Sequence, residues 1–373
     1  MGKKDKGAAE RPKVDSIRLG LGVLVVLLIG SNLVFWSASR PTPLGSAGPQ
    51  AAAASNPGSP AMTPRKAFRI VNGHDHLYMM EHLDRYMKAA EVMGVEKTLF
   101  VASSEFTFLG KGSKEKLNDW STNVVLEAAD AYPGKIIPFA TLHPNDKDKV
   151  TLLEGYMARG IKGLKLYTGH SNFYDRSLYD ESMFPVYAFC QEKGLPILWH
   201  VNMSKYLDDL NQVLLNYPKL KLLIPHFGVG FWNPQDGTMA ALGKMMDTYP
   251  NVYVDSSFGT REILVGGLGR VSQFNDYFRD YYEKYQDRII WGTDMVVTGN
   301  SEKTQEWIES VLRACRDVHE QDTYYYWMAA KGSKYADAKT ATPYGQLRGL
   351  DLSDAILEKV YWTNFHRFLG LPE

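Results

Sequence analysis

The 373-residue chain is poor in cysteine, with only Cys190 and Cys315, far apart in sequence. Two such thiols make no disulfide framework, so both read as small buried hydrophobes that say little about redox compartment. An excess of either charge is missing too: Lys plus Arg and Asp plus Glu each total 42. No net field therefore favours nucleic acid or an acidic partner. No Gly-x-Gly-x-x-Gly follows the first strand-like run, which argues against a dinucleotide-binding sheet. The length leaves room for one large domain or two smaller ones.

What is present begins with a basic tail over residues 1–18 carrying Lys3, Lys4, Lys6, Arg11, Lys13 and Arg18. Leu19 to Trp36 then runs without a charge. A membrane-spanning helix needs about 20 apolar residues, with about 17 as the lower limit. A signal-peptide core of about 7–15 residues is shorter than this run. The expectation is a retained single-pass anchor over 19–36 with a cytoplasmic N-terminus, because the positive flank precedes it. A cleaved signal, cut after Ser37-Ala-Ser39, is the alternative. Residues 37–66 are rich in Pro, Ala, Ser and Gly without periodicity, the composition of a disordered, flexible tether. Either way the domain over 67–373 is expected outside the cytoplasm, in the periplasm of a bacterium.

From Ala67 onward, short apolar runs alternate with helix-like stretches about eight times. The runs are Phe68–Asn72, Lys97–Ser103, Ile136–Leu142, Gly163–Tyr167, Pro196–His200, Lys221–His226, Val252–Ser256 and Arg288–Gly292. Amphipathic segments such as Met80–Met93, Asn123–Tyr132, Val150–Arg159, Met183–Lys193, Leu207–Tyr217 and Met239–Tyr249 separate them. Such alternation predicts an α/β fold with a parallel sheet, and eight units fit a closed (β/α)8 TIM barrel of about 250 residues plus insertions. Leu352–Leu369 is expected as a last helix, N-capped by Ser353, packing across the barrel.

The first run ends in His74-Asp-His76. Side chains two apart on a strand point the same way, so both imidazoles can reach one point. Six of the nine histidines follow or end a predicted strand: His74, His76, His143, His170, His200 and His226. Those ends form the active face of a barrel of this kind. His200 closes Gly194-Leu-Pro-Ile-Leu-Trp-His200, and Asp294 follows Ile289-Ile-Trp-Gly-Thr, where Gly292 and Thr293 permit close approach. Taken singly, each histidine is better explained as a satisfied, hydrogen-bonded side chain. Together, His74, His76, His200 and Asp294 point to one mononuclear divalent-metal site.

These motifs, with Phe139-Ala-Thr-Leu-His-Pro-Asn-Asp146, Gly160-Ile-Lys-Gly-Leu-Lys165, Pro218-Lys-Leu-Lys-Leu-Leu-Ile-Pro-His226-Phe-Gly228 and Asn364-Phe-His-Arg-Phe-Leu-Gly370, resemble the amidohydrolase superfamily. The branch resembled is the amidohydrolase-related one that also holds aminocarboxymuconate-semialdehyde and resorcylate-type decarboxylases. The resemblance spans Phe68 to the C-terminus. It implies that His74 and His76 match first-strand metal ligands and His200 the fifth-strand ligand. Asp294 then matches the eighth-strand carboxylate, which touches the metal or handles the proton of its water, and His226 a sixth-strand acid/base. Zinc is the ion implied first, with manganese or another divalent ion as substitutes.

A bound cation can lower the pKa of water to about 7, while Asp294 accepts a proton and His226 shuttles it. The expected activity is hydrolysis of a small amide, ester or lactone; the alternatives are decarboxylation of an aromatic or unsaturated acid and a catalytically silent ligand-binding domain. Alternation points Lys165 into the barrel, where a lysine needs a partner or loses its proton. In binuclear relatives a carboxylated fourth-strand lysine bridges two metals, whereas the branch resembled is usually mononuclear, so a structural or substrate-binding amine is preferred. His143 and His170 are weaker pocket candidates. Arg261, beyond Asp255, Ser256 and Ser257, could grip a carboxylate, although a solvated loop arginine explains it as well. The partners expected are a small-molecule substrate, the membrane through the anchor, no nucleic acid, and a homodimer as an allowed state. Tyr324-Tyr-Tyr-Trp327, in a long insertion after the eighth unit, could be a lid or a partner contact, although plain packing explains it better.

Overall fold

The computed structural model describes residues 67–110, 113 and 115–372. The expected tail, anchor and tether over 1–66 lie outside the described residues. Among those described, no helix is long and apolar enough to cross a membrane.

The strands are β1 (Ile70–Leu77), β2 (Val95–Val101), β3 (Ile136–Thr141), β4 (Gly163–Leu166), β5 (Ile197–Trp199), β6 (Leu222–Ile224), β7 (Val252–Asp255), β8 (Ile289–Ile290) and β9 (Met295–Val297). Each neighbour in this sheet is parallel, and consecutive strands β1 to β8 pair in sequence order. The closing pair is β1 with β9. β8 bonds β7 and β9 bonds β1, so one broken strand, interrupted at residues 291–294, seals eight positions into a barrel. Arg288–Gly292 was expected as a single run; the structure shortens it to two residues and adds a second piece beyond Asp294. Across the break the chain stays tied to β1, with Gly73 N bonding Trp291 O at 2.9 Å and Asp294 N bonding His74 O at 2.7 Å, while Trp291 N turns away to Val360 O and Asp294 takes a left-handed φ of +54°.

Helices cover the barrel, among them Leu83–Val92, Asn118–Ala131, Lys149–Ala158, Phe184–Lys193, Met203–Asn216 and Thr238–Thr248. Inside, Val71, Leu99, Val101, Ile137, Phe139, Leu198, Leu223, Tyr253 and Ile290 form one dry cluster with Trp362, Phe365 and Phe368 of the chain's end. The last helix thus plugs the barrel end remote from the histidines. It is not continuous: Asp354–Glu358 and Asn364–Leu369 flank a π turn at Lys359–Thr363. Val360 O accepts Trp291 N at 3.0 Å within that turn, an outside donor of the kind that locally rearranges a helical ladder. Ser353 sits in an extended conformation before the helix, but its hydroxyl makes no cap bond. Gly370, at φ +72°, ends the helix in a left-handed residue.

The insertion forms a small antiparallel pair, β10 (Thr323–Tyr325) and β11 (Gln346–Arg348). In it Tyr324 and Tyr326 are buried while Tyr325 and Trp327 are exposed, the alternation of a one-sided strand.

Candidate metal centre

The site assembles where β1 meets the broken eighth strand. Val71 belongs to the interior cluster, and a Cβ on Gly73 would lie 2.6 Å from Ile290 and 3.4 Å from Phe365, so both positions face inward. A register shift between Asn72 and Asp75 then turns His74 and His76 into the site while Asp75 faces out. Gly292 permits the approach, since a Cβ there would stand 3.1 Å from that of His74.

His74 Nε2 lies 3.3 Å, and His76 Nε2 2.8 Å, from Asp294 Oδ1. The back of each ring is held. His74 Nδ1 donates to Asp255 Oδ2 at 2.9 Å, and His76 Nδ1 lies 2.6 Å from Ser103 Oγ. Asp255 is acceptor-only, which puts the His74 proton on Nδ1 and leaves Nε2 a bare lone pair. For His76 the proton assigned to Nδ1 lets Ser103 pass its own hydrogen to Val101 O, again leaving Nε2 bare. Three lone-pair atoms then face one another with no hydrogen between them. Ligand bonds of about 2.0–2.2 Å place neighbouring donors roughly 2.8–3.6 Å apart, so these separations fit one divalent ion. The donor set, two imidazoles and a carboxylate, suits zinc or manganese.

Asp294 is the member open to the pocket, its side chain 19% exposed against 0% and 4% for His74 and His76. Burial alone would raise its pKa, but His74, His226 and His76 outweigh that and hold it well below the carboxylate range. Burial, with Lys165 next, holds His74 far below the usual imidazole value; burial also lowers His76, against the pull of Asp294. Both histidines are therefore neutral, the form that binds metal.

His226 follows β6 in a turn whose residues 226–229 all have positive φ, from +51° to +66°. Three of the four are not glycine, and such strain collects at functional sites. The turn is pinned by His226 N to Asp255 Oδ1 at 2.9 Å. His226 Nδ1 meets Ser257 O and Ser257 Oγ, both at 2.9 Å. Its Nε2 is buried without a hydrogen-bond partner and aims at Asp294 Oδ2, 3.5 Å away. Asp294 is itself left-handed, at φ +54°.

His200 does not join the compact donor group. Its partly buried ring stands edge-on to His226, with centroids 4.7 Å apart, and to His170, at 4.1 Å. Burial, then His170 and His226, keep it well below the ordinary imidazole value. Lys165 is fully buried, with Nζ 3.2 Å from His74 Nε2, and burial lowers it to about 7. His170 accepts Asn172 N at 3.0 Å, and burial with His226 pushes it down to about 3. His143 lies farther out. It accepts Asn145 N at 3.1 Å and packs on Tyr174, lining a surface cavity of about 360 Å³ with Glu105, Phe106 and Arg176. Arg261, with a side chain 30% exposed, is paired with Glu302 at 3.1 Å. Sequence reasoning missed Ser103, and it named Asp255 and Ser257 without a role; neither periodicity nor spacing shows which strand ends will stand behind which imidazole.

Residues 111–371 match the amidohydrolase family, and the chain belongs to it. That span begins after His74 and His76. No curated protein matches the sequence. Among solved structures, a probable 2-pyrone-4,6-dicarboxylic acid hydrolase from Acinetobacter baumannii, with citric acid bound, is similar at 13% identity. The likeness covers 82% of this chain and all of that one, with a TM-score of 0.53. An amidohydrolase from Burkholderia multivorans with bound zinc covers the same shares at 12% identity and TM-score 0.53. The same amidohydrolase with bound HEPES aligns at 11% identity, over 82% of this chain and 100% of that one, with TM-score 0.52. These likenesses establish a shared barrel.

Proposed function

We propose that this amidohydrolase is a metal-dependent hydrolase of a small amide, ester or lactone. One observation carries the reading: His74 Nε2, His76 Nε2 and Asp294 Oδ1 converge at separations that suit a single divalent ion. Those residues would hold it, with His200 as a fourth donor, and zinc is the first choice over manganese. When bound, such an ion polarises a carbonyl and acidifies water. Asp294 turns its second oxygen toward His226 and accepts the water proton there. His226, anchored at Nδ1 by Ser257, keeps Nε2 aimed at that oxygen and relays the proton to the leaving group. One lone pair on His74 cannot serve both Lys165 and an ion, so Lys165 gives up that bond and donates to a substrate oxygen. Leu19–Trp36 would hold the domain at the membrane, outside the cytoplasm.

The test is elemental analysis of the full chain purified in detergent, with assays on lactones, amides, esters and aromatic carboxylates. Expected is one divalent ion per chain and hydrolysis that chelation abolishes and zinc restores. Carbon dioxide release without hydrolysis would reassign the reaction to decarboxylation. A protein that neither retains nor takes up an ion overturns the reading.

A further inference from the structure

The residue between the two histidines faces the other way. Asp75 is fully buried, and its Oδ1 accepts both the Thr293 hydroxyl and Met295 N, the latter at 2.7 Å. Those are the two residues that flank Asp294. The other oxygen accepts Tyr86 OH at 2.6 Å and Asn72 Nδ2 at 2.7 Å. Asn72 strengthens the same junction: its Oδ1 accepts Thr293 N and its Nδ2 donates to Thr293 Oγ1, each at 3.2 Å. One carboxylate on β1 therefore grips the chain on both sides of a residue in a left-handed conformation that non-glycine residues avoid.

From this geometry we infer that Asp75 is a positioning residue, fixing how far the Asp294 carboxylate stands from the His74 and His76 nitrogens. The inference rests on the metal-site reading above. Histidine side chains leave one face of β1 and Asp75 the other, so a single strand carries two ligands forward and clamps the third from behind. All four direct partners of Asp75 present a hydrogen, which only an acceptor-only group satisfies. An asparagine would turn an NH2 against one pair of donors and loosen either the Thr293–Met295 side or the anchor behind it. Asp294 would then keep its identity and lose its place, the usual way in which groups behind a metal ligand tune affinity.

The experiment reads zinc affinity, by competition with a chromophoric chelator, in the full chain and in Asp75→Asn, Thr293→Val and Tyr361→Phe. Tyr361→Phe removes a buried hydroxyl bonded to Glu320 at 2.8 Å and serves as a control for general destabilisation. Asp75→Asn is expected to weaken zinc binding about 10–100-fold and Thr293→Val about tenfold, the range for groups supporting a ligand. Tyr361→Phe is expected to stay near the parent whatever its melting temperature. Should Asp75→Asn fail to fold, Thr293→Val carries the test. Unchanged affinity in both site variants, or an equal loss in Tyr361→Phe, overturns the positioning role. A parent that binds no zinc overturns the metal reading first, and the two failures are told apart by that measurement.

Discussion

Asp255 binds His74 and the His226 turn at once: Oδ2 accepts His74 Nδ1 at 2.9 Å, while Oδ1 accepts His226 N at 2.9 Å and Ser257 N at 3.0 Å. A single buried carboxylate thus fixes the tautomer of a proposed ligand and the backbone of a proposed proton carrier. In Asp255→Asn the amide NH2 must face one set of donors. Facing His74 is the easier choice, since that ring can move its proton to Nε2, which removes the lone pair a metal needs. Zinc affinity is expected to fall about 10–100-fold, measured by chelator competition. Affinity equal to the parent's would show that His74 keeps its tautomer without Asp255.

The separation of roles between His226 and the ligands is equally open to measurement. His226→Ala should retain the ion, because His226 is not one of the three donors His74, His76 and Asp294, while turnover falls about 10²–10⁴-fold for a lost acid/base. His76→Ala removes one of the three converging donors and should strip the ion under dialysis. His200→Ala, outside the compact donor group, should weaken binding less than His76→Ala. Metal content by elemental analysis orders the three variants, and loss of the ion in His226→Ala would make that residue a ligand.

Much of this arrangement was legible in the sequence, and the exceptions share a cause. Strand positions came from apolar runs of the right length, and the pairing of His74 with His76 from the two-residue period. The bulge after Asn72 was not legible, because a register shift depends on which residues the neighbouring strands present. Met295–Val297 escaped notice as a strand, since three apolar residues after a turn carry no periodic signal. The roles of Ser103, Asp75 and Asp255 depend on contacts between residues up to 220 positions apart, as in Met295 N to Asp75, which no local pattern encodes.

Stability should respond to pH through a group far from the site. Burial, reinforced by Glu320 and opposed by Arg313 and Arg316, raises Asp317 from its ordinary 3.8 to about 6. Between those values the folded chain binds a proton that the unfolded chain has released, so stability declines as pH rises through the window. Above it the cost is complete, on the order of 2–3 kcal/mol for two pKa units. Asp317→Asn carries no such cost. It should be more stable than the parent by roughly 1–3 kcal/mol at pH 8, with the difference shrinking toward pH 4. Urea unfolding at both pH values checks the sign; a gap that does not change with pH would show that Asp317 titrates normally.

The barrel interior makes the last prediction, at a position where only glycine fits. Gly163 on β4 faces the Phe139 ring of β3, and a Cβ there would stand 2.3–2.5 Å from three ring carbons. Phe139 is itself fully buried in the interior cluster with Leu198 and Leu223. Gly163→Ala should therefore cost about 1–3 kcal/mol, the usual penalty for overpacking a filled core. Phe139→Leu, which removes the ring, leaves a cavity and is destabilising alone. Combined, the extra methyl enters the space the ring vacated, so the double variant should be more stable than the sum of the single effects predicts. Denaturant midpoints of the four proteins measure that coupling. Strict additivity would mean that the Gly163 backbone, not the Phe139 ring, excludes a side chain there.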